Sequence, residues 1–123
     1  DSLYEKRTNA LMLLGLTQQQ LLKITSAKRS FEQALVLQPN NVLVLRELAI
    51  MNYEEQSYQE AWGYFQRFRQ RVAQPGAEML LLGIQLAKKL EHSDAEASYA
   101  LALKNLYPES KQYQSYLKQK RYE

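Results

Sequence analysis

The sequence predicts an all-α fold, a right-handed helical solenoid built from three helix-turn-helix repeats and a C-terminal capping helix. The main reason is that one pattern of small and apolar residues recurs every 34 residues. In addition, only three Pro and four Gly interrupt the 123 residues, which favours long helices. Hydrophobic residues make up 46% and charged residues 24% of the chain, an ordinary composition for a folded globular domain.

Pairs of small residues, 12 positions apart, define the repeat. The pairs are Gly15 with Ala27, Ala49 with Ala61, and Gly83 with Ala95. A large aromatic residue follows four positions after each second member, and a Leu directly precedes each first member. A small residue in the first helix lets the second helix approach closely, and the aromatic ring fills the remaining space. Because one such hairpin cannot bury its apolar face alone, neighbouring repeats must stack.

This pattern resembles the signature of tetratricopeptide repeats (TPR), in which Leu, small and aromatic positions recur over 34 residues. The resemblance implies a single TPR domain over the whole chain. Its expected parts are repeats at about 8–41, 42–75 and 76–109, then a capping helix at about 110–121. Residues 1–7 either extend the first helix backwards or finish a preceding one.

Proline and serine residues mark several of the expected helix boundaries. Pro39 ends the first repeat at the expected place, whereas Pro75 and Pro108 end the second and third slightly late. Ser57 and Ser93 each precede a Glu by three residues, as in a capping box, and therefore predict the starts of second helices. Ser110 is a candidate N-cap of the last helix.

The first helix of each repeat has a packing face and a second face that lines a groove. In the second repeat Leu45, Leu48 and Ala49 form the packing face, and the groove side chains lie roughly 80–100° around the helix from it. With the equivalent positions of the other repeats, the candidate partner-binding groove consists of Met12, Leu16, Leu43, Arg46, Ile50, Tyr53, Leu80, Ile84 and Lys88. These residues are mostly apolar, which favours docking of an amphipathic helix or an extended segment.

Two other interpretations of this apolar groove remain open. It can be filled by packing between the repeats, or by the C-terminal helix, in which Tyr113, Tyr116 and Leu117 form an apolar stripe. The same stripe can instead cover the end of the third repeat, because repeat arrays need a polar-backed cap. A clamp for a carboxylate terminus is not expected, since such clamps use Lys, Arg and Asn at positions that are largely apolar here.

Residue types that commonly act in catalysis or bind metal ions are sparse. The chain has no Cys and a single His, His92, so neither a thiolate nor a histidine metal cluster can be built. There is no Gly-rich phosphate loop and no Ser-centred elbow. We therefore predict no catalytic residue, no cofactor and no metal site, and the expected protein is not an enzyme.

The net charge of +3 is mild and does not by itself indicate nucleic acid. On a helix, Arg67, Arg69 and Arg71 spread over about 200° and form no single row. The basic C-terminal residues Lys118 to Arg121 are expected to be a solvated terminus. A nucleic-acid-binding repeat stays a third hypothesis, based on charge alone, and no nucleic-acid partner is predicted.

No stretch approaches the roughly 20 uninterrupted apolar residues that span a bilayer. The first residues, DSLYEKR, do not form a signal peptide. Any targeting signal or lipid anchor is therefore expected upstream of this sequence.

Four long runs in the second half carry more than the general repeat pattern. They lie within 45–55, 58–65, 77–88 and 97–116 and include LRELAIMNYEE, AEMLLLGIQLAK and SYALALKNLYPES. In order and spacing, over about 42–117, these runs resemble the PilF/PilW family of TPR lipoproteins of type IV pilus biogenesis. Residues 8–41 fit only as a TPR repeat.

The resemblance implies a protein that binds other proteins during assembly of the type IV pilus, the fimbrium of twitching motility. Members act as pilotins, which bring the pilus secretin to the outer membrane and help it assemble. They are held at the periplasmic face of the outer membrane by an N-terminal lipid, which is expected upstream of this sequence. The chain would be the C-terminal part of such a protein. The alternative is a general TPR scaffold of another pathway that binds an amphipathic segment in its apolar groove.

Overall fold

Seven α-helices follow one another along residues 2–123, the part of the chain that the structure, a computed structural model, describes. Their bounds are α1 Leu3–Gln20, α2 Ile24–Leu37, α3 Val42–Glu54, α4 Tyr58–Arg71, α5 Ala77–Lys89, α6 Ser93–Leu106 and α7 Lys111–Arg121. No strand occurs within 2–123, so the predicted all-α class is confirmed. Since α1 begins at Leu3, the first residues extend the first helix backwards, except residue 1, which lies outside the described part.

The helices pair as hairpins, α1 with α2, α3 with α4, and α5 with α6. In addition, α2 packs against α3, and α7 packs against α5. The chain divides into two compact units: the first ends at Arg71 and contains α1 to α4, and the second, Val72–Glu123, contains α5 to α7.

Gly15 of α1 lies close against the ring of Phe31 of α2 in the first hairpin. A Cβ atom on Gly15 would lie 2.8 Å from Phe31 Cε1, nearer than real Cβ contacts allow. Both residues are buried, and Phe31 has no exposed surface. The absence of a side chain at Gly15 therefore sets the distance between the two helices, as the small-residue pattern predicts.

Each hairpin turns through one residue in the left-handed region of backbone conformation. These residues are Leu22, Gln56 and Glu91, with φ of 59°, 65° and 60°. In all three turns the next backbone N–H donates to the carbonyl five residues back, at 2.8 Å. This is the Schellman arrangement, which usually places Gly at the left-handed position, and a non-Gly residue there costs about 1 kcal/mol.

The turn residues also show the true length of the repeat. From Leu22 to Gln56 the step is 34 residues, but from Gln56 to Glu91 it is 35. The buried residues of α5 follow the longer step. Each buried residue of α3 has a buried counterpart 35 positions later: Val44 and Met79, Leu45 and Leu80, Leu48 and Gly83, Ala49 and Ile84, Met51 and Leu86, Asn52 and Ala87.

The structure thus shifts the frame of the third repeat by one residue. The predicted small-residue pairing of Gly83 with Ala95 does not match the earlier pairs, because Ala27 and Ala61 are fully buried whereas Ala95 is half-exposed. The same additional residue explains why Pro108 lies one residue later than two 34-residue steps from Pro39 would place it. The predicted single domain and the predicted bounds of the three repeats stay predictions.

Side-chain caps begin α1, α3 and α7, and the α1 cap is Ser2. Asn41 Oδ1 and Ser110 Oγ each accept a hydrogen bond from the backbone N–H three residues on, at 3.1 and 3.0 Å. The predicted cap at Ser110 is therefore confirmed, and α4 begins directly after Ser57 as predicted. The prediction for Ser93 is wrong: it is the first helical residue, and the N-cap position is occupied by His92, which makes no side-chain cap bond.

Exchanging Gly15 for Ala is expected to destabilise the chain by about 1–3 kcal/mol, because the new methyl group overpacks against the buried ring of Phe31. The matched control is Gly63→Ala, also within a helix, where a Cβ would meet nothing within 4 Å. That control should stabilise by about 0.5–1 kcal/mol through helix propensity alone. Urea unfolding followed by circular dichroism measures both changes, and equal effects would contradict the close-approach interpretation.

Candidate protein-binding surface

The first unit carries a partly open apolar surface on α1 and α3. Met12 and Leu16 of α1 are half-exposed, and so is Ile50 of α3, while Leu43 at the start of α3 is 38% exposed. These four residues belong to the predicted groove. Their side chains are accessible in the described structure and could contact the apolar face of another segment.

Polar contacts join α1 to α3 along the same surface. Asn41 Nδ2 lies 3.4 Å from Met12 Sδ, and Gln19 Nε2 donates to Glu47 Oε1 at 3.0 Å. The other carboxylate oxygen of Glu47 accepts from Arg46 Nη1 at 2.6 Å. The charge of Arg46 is therefore offset by its neighbour, and the surface presents no isolated cation that would capture a carboxylate.

Tyr53 lies at the C-terminal end of this surface on α3. Its ring centroid is 5.6 Å from that of Tyr58, and the two planes are tilted by 55°. Burial raises the pKa of Tyr53 above its usual value, and Tyr58 adds to the effect. The hydroxyl therefore stays protonated near neutral pH and can donate a hydrogen bond at the rim of the apolar surface.

Two residues assigned to the groove from the sequence are not accessible. Leu80 is 2% exposed and Ile84 is 3% exposed, and both lie on α5, which packs against α6 and α7. The one-residue shift gives the reason, because 35 positions separate them from Leu45 and Ala49, which are core residues. Leu80 and Ile84 are therefore core residues of α5 rather than lining residues of an open groove.

In the corrected frame, other α5 residues are equivalent to the groove positions of α3. Leu81 and Gln85 are half-exposed, and Glu78 and Lys88 are exposed. Sequence reasoning found only Lys88 among these, whose ammonium forms an ion pair with Glu123. The corresponding face of α5 is therefore mainly polar, in contrast to that of α1 and α3.

A further apolar surface, between α1 and α2, was missed from the sequence. Its groove of about 480 Å³ is lined by Arg7, Ala10, Leu11, Gln33, Val36 and Leu37. Leu11 is half-exposed and Leu14 is 46% exposed, whereas their repeat equivalents Leu45 and Leu48 are fully buried on α3, against which α2 packs. The repeat pattern could have revealed this surface, because Leu11 and Leu14 occupy positions that are buried packing positions in the next repeat.

Arg67 has an internal role. Its guanidinium donates to the carbonyl oxygen of Pro39 at 2.6 Å and lies 5.9 Å from the ring centroid of Tyr64. The first contact connects α4 to the segment between α2 and α3, and the second lies within α4. Arg67 therefore contributes to the fold of the hairpin rather than to a basic row.

Residues 2–123 contain neither a metal-binding cluster nor a membrane-spanning helix. This part of the chain holds no group of three or more His, Cys, Asp or Glu side chains that could bind a metal ion. None of its helices combines the length and apolar character needed to cross a bilayer.

The chain is 42% identical over 120 residues to the type IV pilus assembly protein PilF of Pseudomonas aeruginosa strain PAO1. The chain is a homologue of PilF. The match covers 98% of this chain and 47% of the relative, so the chain spans about half the length of the curated relative it matches. This coverage fits the expectation of a part of such a protein. No protein-family model matches the chain.

Solved structures of PilF and PilW share this fold. One, from a functional characterisation of Pseudomonas aeruginosa PilF, has a TM-score of 0.88 at 41% identity and covers 97% of this chain and 53% of that one. The other, PilW, is described as a widely conserved type IV pilus biogenesis factor. It has a TM-score of 0.77 at 26% identity, and the match covers 89% of this chain and 50% of that one. The helical hairpins of this PilF homologue are thus of the TPR type.

The burial difference between the predicted groove residues gives a stability test. Leu80→Ala should destabilise the chain by about 2–5 kcal/mol, because it leaves a cavity in the core. Leu43→Ala should cost less than about 1 kcal/mol, because the side chain is already partly in water. Thermal and urea unfolding of the two variants would measure this difference. A small effect of Leu80→Ala would mean that the residue lines an open surface after all.

Proposed function

We propose that the chain is a protein-binding part of a type IV pilus biogenesis factor that acts in the bacterial cell envelope. The homology to PilF, together with the partly exposed apolar surface on α1 and α3, supports this proposal. A TPR-type fold that leaves apolar side chains accessible on the first helices of its repeats is suited to holding a segment of another protein.

The proposed role is that of a pilotin-like factor, which assists outer-membrane localisation and assembly of the pilus secretin. In the full-length protein a lipid anchor would hold this region at the periplasmic face of the outer membrane. The partner would be the secretin, and binding would need no cofactor, metal or nucleic acid.

The proposed binding face is narrower than the groove predicted from the sequence. It consists of the apolar residues of the first unit and the polar residues at their edge: Met12, Leu16, Leu43, Arg46, Ile50 and Tyr53. Leu80 and Ile84 are left out because they are buried. Lys88 is exposed on α5 in the second unit and is retained as a separate contact.

The chemistry of this face indicates the kind of segment that it would hold. Four apolar side chains offer contact area, and the protonated hydroxyl of Tyr53 offers a hydrogen bond at the rim. Because Glu47 offsets the charge of Arg46, the face favours an amphipathic segment over a free carboxylate terminus. A helix with apolar residues at i, i+3 and i+4 would match the spacing of Met12 and Leu16.

The test exchanges Leu16 and Ile50, singly, for Glu in the full-length protein, expressed in a bacterium that assembles type IV pili. Each carboxylate would have to be buried without a partner in the complex, which costs about 2 kcal/mol or more and lowers affinity about thirtyfold. We expect secretin multimers in the outer-membrane fraction to fall at least about fivefold at equal protein level.

The matched control is Leu106→Glu, at a position on α6 that is 44% exposed and outside the proposed face. It introduces the same charge and should leave the multimers unchanged. Circular dichroism of all three variants checks that they are folded. Normal multimer levels with folded Leu16→Glu and Ile50→Glu variants would refute the proposed face.

A further inference from the structure

The second unit has a groove between α6 and α7, of about 400 Å³ and distinct from the surface on α1 and α3. Each helix contributes residues at i, i+3, i+4 and i+7, which form one face of a helix. The lining residues are Ala97, Ala100, Leu101 and Lys104 of α6 with Tyr113, Tyr116, Leu117 and Lys120 of α7. We propose that this groove binds a short acidic amphipathic helix of a partner protein, an interaction additional to the proposed secretin contact.

The groove exists because the third hairpin departs from the earlier ones. Phe31 and Phe65 lie nine residues after the left-handed turn residues and are fully buried. The position nine residues after Glu91 is Ala100, which is half-exposed. In addition, α7 packs mainly against α5, whereas α3 packs against α2. A small residue and a displaced helix together leave a channel along α6.

The channel is apolar along its length. Leu101 is 59% exposed and Leu117 is 39% exposed, so both present apolar surface to water. Tyr113 and Tyr116 stack with ring centroids 6.2 Å apart and form a rigid wall. The methyl groups of Ala97 and Ala100 would allow a third helix to approach closely, as Gly15 does for Phe31.

The charges at the channel are of one sign. Lys104 and Lys120 line it, both are exposed, and neither forms an ion pair with a residue of the described chain. No Asp or Glu is among the lining residues. A partner with carboxylates beside its apolar face would therefore be attracted, whereas a basic segment would be repelled.

The same charges argue against a second copy of this chain as the occupant. In a two-fold dimer the identical patch of both copies meets, which would bring Lys104 and Lys120 of one protomer towards those of the other. The distance from Ala97 to Lys104 is seven helical rises, about 10.5 Å. The occupant would therefore contribute about two helical turns, with small or medium apolar side chains towards Ala100 and carboxylates on both flanks.

The experiment uses a designed, fluorescein-labelled amphipathic helix of about four turns, with Leu and Ala on one face and Glu on the flanks. Its counterpart has Lys in place of every Glu. Fluorescence anisotropy at physiological salt measures binding of each peptide to the full chain. The acidic peptide is expected to bind at least about tenfold more tightly than the basic one.

Two double variants separate a specific groove from general attraction to a basic protein. Lys104→Glu with Lys120→Glu should weaken the acidic peptide about tenfold or more and strengthen the basic one. Lys111→Glu with Lys118→Glu makes the same change in net charge on the far side of α7 and should alter binding less than about twofold. Ala100→Trp, which fills the channel, should abolish binding of the acidic peptide without changing helix content.

Three results would overturn the proposal. One is that the acidic peptide binds no better than the basic one. Another is that both double Lys→Glu variants weaken it equally, which would indicate attraction to net charge alone. The third is a concentration-dependent dimer in sedimentation equilibrium that Ala100→Trp abolishes, which would make a second copy the occupant.

Discussion

The contact between Gly15 and the ring of Phe31 sets the geometry on which the first hairpin depends. With no side chain at Gly15, the ring lies where a Cβ atom would be, and α1 and α2 pack at the distance that buries Phe31 completely. Because helices so close use one face for packing, the adjacent face of α1 is left partly open. Met12 and Leu16 lie on this face and are half-exposed. Close packing on one face of α1 therefore goes together with an accessible apolar surface on the adjacent face.

The 35-residue step to the third hairpin decides which side chains a partner could reach. With one additional residue in the connection before α5 (72–76, against 38–41 before α3), Leu80 and Ile84 occupy core positions, and Leu81 and Gln85 take the places equivalent to the groove positions of α3. The accessible face thus changes from apolar on α1 and α3 to mainly polar on α5. In α6 the same shift places Ala100 where earlier repeats bury an aromatic ring, and a second groove results. The inserted residue therefore accounts for the narrower binding face and, together with the packing of α7 against α5, for the additional channel.

The sequence was sufficient for the all-α class, for the existence of every hairpin and for the cap at Ser110, because these follow from local spacing and side-chain type. It also contained the signal for the insertion, since Pro39 and Pro108 mark equivalent turns with one residue too many between them. The three small-residue pairs concealed that signal, because Gly83 and Ala95 kept the 34-residue spacing of the earlier pairs while the packing followed a 35-residue step. Burial at Leu80 could not be inferred from residue type, since Leu suits a core and an apolar groove equally well. The cap at Ser93 failed for a related reason, because its turn is shifted by one residue.

The central claim is that the apolar face of α1 and α3 contacts the pilus secretin. Its most direct test replaces Leu43 with the photo-crosslinking residue benzoylphenylalanine in the full-length protein, in cells that assemble pili. Leu43 is 38% exposed, so the larger ring can be accommodated in water without disturbing the core. Irradiation should give a crosslink to the secretin from position 43 and none from position 106 on α6. A secretin crosslink from position 106 alone, or none from position 43 in cells with normal pili, would contradict the claim.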